Sequence, residues 1–383
     1  MKKKIKEISV FTFGDSTLVR TWSNVPYMLT KTLEKQGYKI NRININPNRY
    51  LQSFYNRVIY KLTLLLKNDN VYLYERTYIN YILTFIKIWR YNKKYPNADL
   101  NIFTNFSFYN KYSARPNILL CDWDLSIGIN DRLGRKPYYF EQQAIRRQMR
   151  VIEHADLVIS LFPKSADIMK KMYKNPNIFH LNQNVINSLY EKELDEAAIL
   201  KIKEKSFDLL FIGSTNYIAG AKLLITAYVN LKIDYPMLKV KIIGIRGEEL
   251  GELPDGVEAF GYLDKNLEND NRRYYDLLIN AKVFVNPTPV WGGYSSTIEA
   301  MYFYTPIIIA PYEEFTTEFG EEISFGRYCN EFEVLHLQHL LEDEINSPNY
   351  RNHCLNAQEK VKNYTWDNYV KLLLEKFSDV TSN

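Results

Sequence analysis

Val283-Phe-Val-Asn-Pro-Thr-Pro-Val-Trp-Gly-Gly-Tyr-Ser-Ser-Thr-Ile-Glu-Ala-Met301, followed by Tyr304-Thr-Pro-Ile-Ile-Ile-Ala310, is the most informative stretch of this 383-residue chain. It reads as a strand, a glycine loop, a helix and a second strand opened by Thr-Pro. Gly292 and Gly293 let a ligand approach the backbone closely. Tyr294 follows them, and Ser295, Ser296 and Thr297 sit where the helix begins, their hydroxyls and unspent N–H groups facing the loop. A helix start of this kind suits a diphosphate. Glu299 lies in the first turn or so, where a phosphate would repel it unless it reaches hydroxyl groups alongside. The plainer reading is a tight strand–helix turn with a capping glutamate.

Outward from this segment, apolar strand-like runs alternate with helical spacing. Strands are expected at Ile8–Phe13, Ile40–Ile45, Val71–Tyr74, Asn101–Thr104, Ile118–Cys121 and Asp156–Leu161, with helices at Val25–Gln36 and Tyr138–His154. A charged, helix-prone connection covers Asn187–Ser206, after which the rhythm restarts. Strands Asp208–Ile212, Val240–Gly244, Val257–Phe260, Lys282–Asn286 and Pro306–Ala310 then alternate with helices Ala219–Leu231, Asn271–Asn280 and Ser295–Phe303. The pattern predicts an α/β chain of two Rossmann-like doubly wound domains facing a cleft, with ligands at the strand C-terminal ends.

The segment around Gly292 resembles the nucleotide-sugar motif of glycosyltransferases with the GT-B fold, above all the retaining family 4. In that family the glutamate of the Glu-Ala-Met helix binds the donor ribose, which the resemblance places at Glu299, and loop amides bind the diphosphate, here Gly292 to Ser296 with Thr297 following. Asp208-Leu-Leu-Phe-Ile-Gly213 is similar to the strand opening the donor domain, and Lys239-Val-Lys-Ile-Ile-Gly244 to the next strand. Val257-Glu-Ala-Phe-Gly-Tyr-Leu263 resembles the turn that contacts the base, implicating Tyr262 and Leu263. The stretch from Asp15 to Tyr38, with Gly14 before it, is similar to the first loop and helix. Tyr364-Thr-Trp-Asp367 and its helix resemble the closing segment. The implied domains are an acceptor domain at 1–190, a donor domain at 191–355, and a helix at 356–383 that crosses back.

The chain also departs from the family pattern. Trp291 stands where a second glutamate is usual. Ser214 and Ala219 stand where Arg and Lys usually neutralise the diphosphate, leaving Lys222 and Arg246 as the candidate cations. Cys121-Asp-Trp-Asp124 replaces a histidine-bearing loop. Asp122 and Asp124, after an apolar strand, are read either as a general base on an acceptor hydroxyl or as loop caps. Asp15, in the first glycine loop, carries the same two readings.

Residues 1–150 carry 26 Lys+Arg against 10 Asp+Glu, a balance of +16, whereas residues 151–383 carry 23 against 34, a balance of −11. The basic half therefore points to an anionic partner. Its segments Tyr55–Leu62 and Tyr81–Tyr91 mix aromatic rings with cations, which fits a membrane headgroup interface or helices using the rings as core. No nucleic-acid motif is present, and no nucleic-acid partner is expected. Three scattered cysteines and five histidines without metal-ligand spacing give no disulfide framework or metal site. Without a recognisable signal peptide or spanning stretch, the expected location is cytoplasmic, peripheral on the inner face of the membrane.

The expected activity is metal-independent transfer of a sugar, with retention, from a nucleotide-diphosphate sugar to a glycan or lipid-linked, anionic acceptor. The donor is a substrate and no cofactor is implied. The alternatives are an inverting transfer using Asp122 or Asp124, a catalytically altered nucleotide-sugar-binding or scaffold protein, and a nucleotide-sugar epimerase.

Overall fold

A computed structural model describes residues 5–289 and 293–382, the side chains of residues 66, 131 and 132 aside. The chain forms two compact units. One comprises Met1–Asn184 and Trp366–Asn383; the other is Val185–Thr365.

The first unit is built on strands β1 (Glu7–Thr12), β2 (Lys39–Asn44), β3 (Leu100–Phe103), β4 (Asn117–Cys121), β5 (Leu157–Ser160) and β6 (Ile178–Phe179). They lie in the order β2-β1-β3-β4-β5-β6, and every pairing is parallel. β1, β3 and β5 are buried along their whole length, as a parallel sheet covered on both faces requires. Phe11 and Phe103, opposite each other in the ladder, stack with ring centroids 4.3 Å apart. The helix Trp366–Val380 joins this unit; it buries Trp366, Tyr369, Val370, Leu373 and Phe377, and Lys35 bonds Asp367 at 2.9 Å. The return to the first unit thus begins at Trp366, while the preceding helix, Tyr350–Val361, belongs to the second.

The second unit contains β7 (Asp208–Ile212), β8 (Lys239–Ile243), β9 (Val257–Ala259), β10 (Ala281–Asn286), β11 (Ile307–Ile309) and β12 (Gly326–Tyr328). Their order is β12-β11-β10-β7-β8-β9, again all parallel. Numbered within the unit this is the Rossmann order, in which the winding reverses between the first and fourth strands. Here the reversal falls between β7 and β10. Leu209, Phe211, Val240, Ile242, Val283 and Val285 supply the sheet side of the core, and Ala221, Leu224 and Tyr228 pack with them from the helix Ile218–Leu231.

One expected strand is absent. Val71–Tyr74 is an irregular stretch leading into a short 3₁₀ turn, Tyr74–Arg76. The amide of Val71 donates to Glu141 Oε1 at 2.9 Å and that of Tyr72 to Asn70 Oδ1 at 2.7 Å, so side chains take the donors that a ladder would need. Within the connection expected at Asn187–Ser206, Asp195 caps a helix, Glu196–Lys205, that buries Ile199, Leu200 and Lys203. No helix among the described residues is long and apolar enough to cross a membrane.

Candidate functional site

The loops after β7 and β10 lie at the topological reversal of the second unit, where open α/β sheets bind ligands. β7 ends at Ile212, and the amide of Gly213 reaches across to the carbonyl of Ile243 at the end of β8, 3.0 Å away. Gly244 follows with φ +94; a Cβ there would lie 2.4 Å from the Gly213 carbonyl oxygen. The two loop backbones can approach this closely only with glycine at 244. Ser214 is exposed at the head of the 3₁₀ turn Thr215–Tyr217. Gly220 packs against the loop after β10, since a Cβ at 220 would meet Thr288 Oγ1 at 2.2 Å.

The helix after β10 is Ser295–Tyr302, and the side chain of its N-cap residue, Tyr294, makes no capping hydrogen bond. The first amides of an α-helix have no partner within it, so this end presents donors and the positive pole of the helix. Ser295 and Ser296 are half-buried, Thr297 is buried, and Gly293 is half-buried before them. Tyr294 is turned into the core at 1% exposure, its ring 5.4 Å from Phe315 and 6.3 Å from Tyr312. Its side chain is therefore structural, and only its backbone faces the loop. Trp291 and Gly292 lie outside the described residues.

Glu299, at 3% exposure, is the centre of the site. Lys265 Nζ lies 3.0 Å from Oε1 and 2.9 Å from Oε2. The Tyr274 hydroxyl donates to Oε2 at 2.8 Å and the Tyr275 hydroxyl to Oε1 at 3.4 Å. A buried carboxylate needs such donors, because leaving it unpaired costs several kcal/mol, roughly 3–5 when one partner of a buried pair is removed. Burial and the neighbouring carboxylate push the Tyr274 phenol well above its usual range, so it stays a proton donor. Lys265 was not singled out from the sequence. The signal was present: it is the cation nearest the expected base-contacting turn, and a carboxylate in the middle of a buried helix requires a counter-charge.

The remaining candidates of this unit lie around the strand ends. Tyr262 is 68% exposed and Leu263 8%, so the tyrosine presents its ring while the leucine anchors the turn. Arg246 lies in an isolated bridge with Phe260, and its guanidinium, with a side chain 70% exposed, stands 3.8 Å from Glu249. Lys222 is exposed one turn into the helix Ile218–Leu231.

In the first unit Gly14 has φ +99, and a Cβ on it would come within 2.6 Å of Thr21 Cγ2. Asp15 turns back on its own loop. Its Oδ1 accepts from the Thr17 amide at 2.8 Å and hydroxyl at 2.7 Å, bonds that hold its carboxyl below the usual range. The two aspartates after β4 have different fates. Asp124 is 0% exposed; Oδ1 caps the helix Leu125–Arg132 by accepting from the Ile127 amide at 2.7 Å, and Oδ2 accepts from the Tyr173 hydroxyl. Asp122 is half-buried at the strand end, its carbonyl accepting from the Ser160 hydroxyl at 2.5 Å. Asp124 is thus the loop cap of the two readings, and Asp122 retains access to solvent.

No protein-family model matches the sequence, and no curated protein does. Solved structures match across nearly the whole chain. Sucrose-phosphate synthase from Thermosynechococcus elongatus superposes with a TM-score of 0.69 at 14% identity, over 98% of this chain and 99% of that one. WaaG, a glycosyltransferase involved in lipopolysaccharide biosynthesis, gives 0.61 at 13% identity, over 99% and 100%. HepE from Anabaena, solved with UDP and glucose, gives 0.60 at 14% identity, also over 99% and 100%. At such identities the likeness is one of architecture: the chain has the GT-B fold, two Rossmann-like units each built on a six-stranded parallel sheet.

Proposed function

We propose that the chain is a glycosyltransferase whose second unit holds a nucleotide-diphosphate sugar at the β7–β10 reversal. The observation that carries this reading is the pairing of a helix start whose N-cap side chain, that of Tyr294, makes no capping bond with the buried carboxylate of Glu299 on the same helix. In it, the amides of Ser295, Ser296 and Thr297 and the hydroxyls of Ser295 and Ser296 take the diphosphate, aided by Gly213, Ser214, Gly293 and the cations Lys222 and Arg246. Tyr262 stacks on the base beside Leu263. Glu299 accepts from the ribose hydroxyls. Both of its oxygens already have two donors, and the Tyr275 hydroxyl, at 3.4 Å, is the weakest. A ribose hydroxyl takes the place of that contact.

Transfer breaks the bond between the sugar's anomeric carbon and the diphosphate oxygen and forms one to an acceptor oxygen. With retention, the acceptor proton passes to the departing phosphate oxygen. With inversion, Asp122 takes it, because Asp124 is committed to its cap. Metal independence belongs to the proposal, since helix amides and cations stabilise the leaving diphosphate; full turnover after chelator treatment tests it. The UDP and glucose found with HepE favour a donor of that kind. The +16 balance of residues 1–150 favours an anionic acceptor, either a glycan or a lipid-linked one, met at the inner face of a membrane.

The decisive experiment is calorimetric titration with UDP and UDP-sugars, followed by donor-consumption assays with candidate acceptors. Nucleotide bound by the wild type and lost in Glu299→Gln supports the site; unchanged affinity in that variant removes it. A second reading, a donor-binding protein without turnover, is favoured by the four internal hydrogen bonds that three side chains give Glu299. Donor bound but never consumed with any acceptor would select it.

A further inference from the structure

The helical stretch Arg49–Phe54, Tyr55–Ile59 and Tyr60–Leu66 in the first unit is amphipathic with its polarity reversed. From 49 to 65 no residue is buried. The side facing the protein makes polar contacts. Gln52 bonds Glu75, Thr63 bonds Asn70 at 3.0 Å, and the Tyr55 and Tyr60 hydroxyls donate to the carbonyls of Tyr72 and Asn70 at 3.1 and 2.5 Å. The central turn is a π-turn, in which residues five apart align, and it brings Tyr55 and Tyr60 to the same side. The opposite side carries Leu51 (43% exposed), Phe54 (61%), Val58 (46%), Leu62 (59%) and Leu65 (83%), spaced three and four apart. Tyr55 packs on the ring of Tyr74, 5.8 Å away, but a helix of this length that fully buries no side chain is marginal in water. Its apolar side calls for a partner.

The charge identifies that partner. Residues 49–66 contain Arg49, Arg57 and Lys61 and no acidic residue, and Lys67 follows. The nearest acid beyond, Asp69, is taken by Arg135 at 2.7 Å and the Tyr138 hydroxyl at 2.8 Å. The adjacent helix, Tyr78–Lys94, continues the pattern with exposed Ile79, Ile82, Ile86 and Trp89, and Lys93 stands 3.9 Å from the Trp89 ring. Lys87 of that helix bonds the carbonyl of Asn46, just ahead of the first helix, so the two are joined at that end. Apolar side chains flanked by cations with no acid among them suit an anionic bilayer, whose acyl boundary receives the former and whose headgroups receive the latter.

We propose that Arg49–Leu66 is a membrane-insertion helix that lays its Leu51, Phe54, Val58, Leu62 and Leu65 side into the headgroup–acyl boundary of an anionic bilayer. It builds on the membrane part of the proposed function and is independent of the donor site. Insertion places the helix in the plane of the membrane without spanning it.

The test is co-sedimentation of the full chain with phosphatidylcholine vesicles and with vesicles containing about 30% phosphatidylglycerol, a composition chosen for its anionic surface. The wild type is expected to pellet only with the anionic vesicles. Phe54→Ser with Leu62→Ser should lower that partition at least tenfold, roughly the worth of two apolar side chains left in water. Ile233→Ser with Met237→Ser removes exposed apolar side chains from the second unit and should leave partition unchanged. A Phe54→Trp variant should shift its emission to the blue on vesicle binding. Wild-type partition in the Phe54/Leu62 variant would overturn insertion by this helix, leaving only attraction by charge. Equal binding to neutral vesicles would overturn the anionic requirement. No vesicle binding, together with a dimer that the Phe54/Leu62 variant dissociates, would assign the face to a second copy. UDP affinity measured without vesicles reports on the donor site separately.

Discussion

Asp124 and Glu299 are both buried carboxylates on short helices that follow parallel strands, yet they do opposite work. Asp124 caps its own helix and is closed off by Tyr173. Glu299 sits inside its helix, leaves that helix's amides alone, and reaches Lys265, Tyr274 and Tyr275 on other elements. A carboxylate satisfied by the first turn of its own helix holds the fold. One satisfied by ammonium and phenol groups around a loop mouth can exchange a partner for a ligand hydroxyl. The contrast is open to direct test.

The largest effect is expected from Asp124→Ala. It strands the Ile127 amide and the Tyr173 hydroxyl, which should cost about 3–5 kcal/mol, read as a lowered denaturation midpoint, with UDP affinity unchanged. A stable variant that has lost nucleotide would make Asp124 a ligand and dissolve the contrast. A buried cation extends it. Lys203, at 0% exposure, donates to the carbonyls of Leu278 and Ala281 and to Thr305, and burial lowers its ammonium to about 7. The unfolded chain keeps that proton up to about 10.4, so between those values the unfolded state binds more protons and stability rises with pH. Relative to Lys203→Met, the wild type should gain stability from pH 7 to pH 9 by up to about 1.4 kcal/mol per pH unit. A flat difference would mean that Lys203 stays charged.

Next in size is Glu299→Gln, which keeps the shape and removes the charged acceptor. A loss of about 10- to 100-fold in UDP affinity is expected, by titration calorimetry. The smallest effect belongs to Lys265→Met. The carboxylate keeps its tyrosines but loses its counter-charge. UDP affinity should fall by less than about tenfold, by titration calorimetry. Wild-type affinity in this variant would show that Lys265 takes no part in presenting Glu299.

What the sequence made legible follows from the range of each interaction. Parallel strands such as β7 and β10 are short apolar runs bounded by glycine or proline, and the strand–glycine–helix segment is local, so both could be read directly. Val71–Tyr74 has the same apolar look, but its first two amides go to side chains, one of them Glu141, 70 residues away. Asp122 and Asp124 are two positions apart; their difference is set by Tyr173, 49 residues on. Lys265 finds Glu299 across 34 residues, and the core direction of Tyr294 depends on Phe315. Local spacing carried the backbone of the site, whereas the choice of partner for each charge was made by tertiary packing.

The helix Trp366–Val380 follows the second unit in sequence and belongs to the first. During synthesis the second unit, contiguous from Val185 to Thr365, can close while the first still lacks its final piece. The first unit is thus completed after the second. Until Tyr369, Leu373 and Phe377 emerge, the surface they cover, alongside Lys35, stays open to solvent, to chaperones and to other nascent chains.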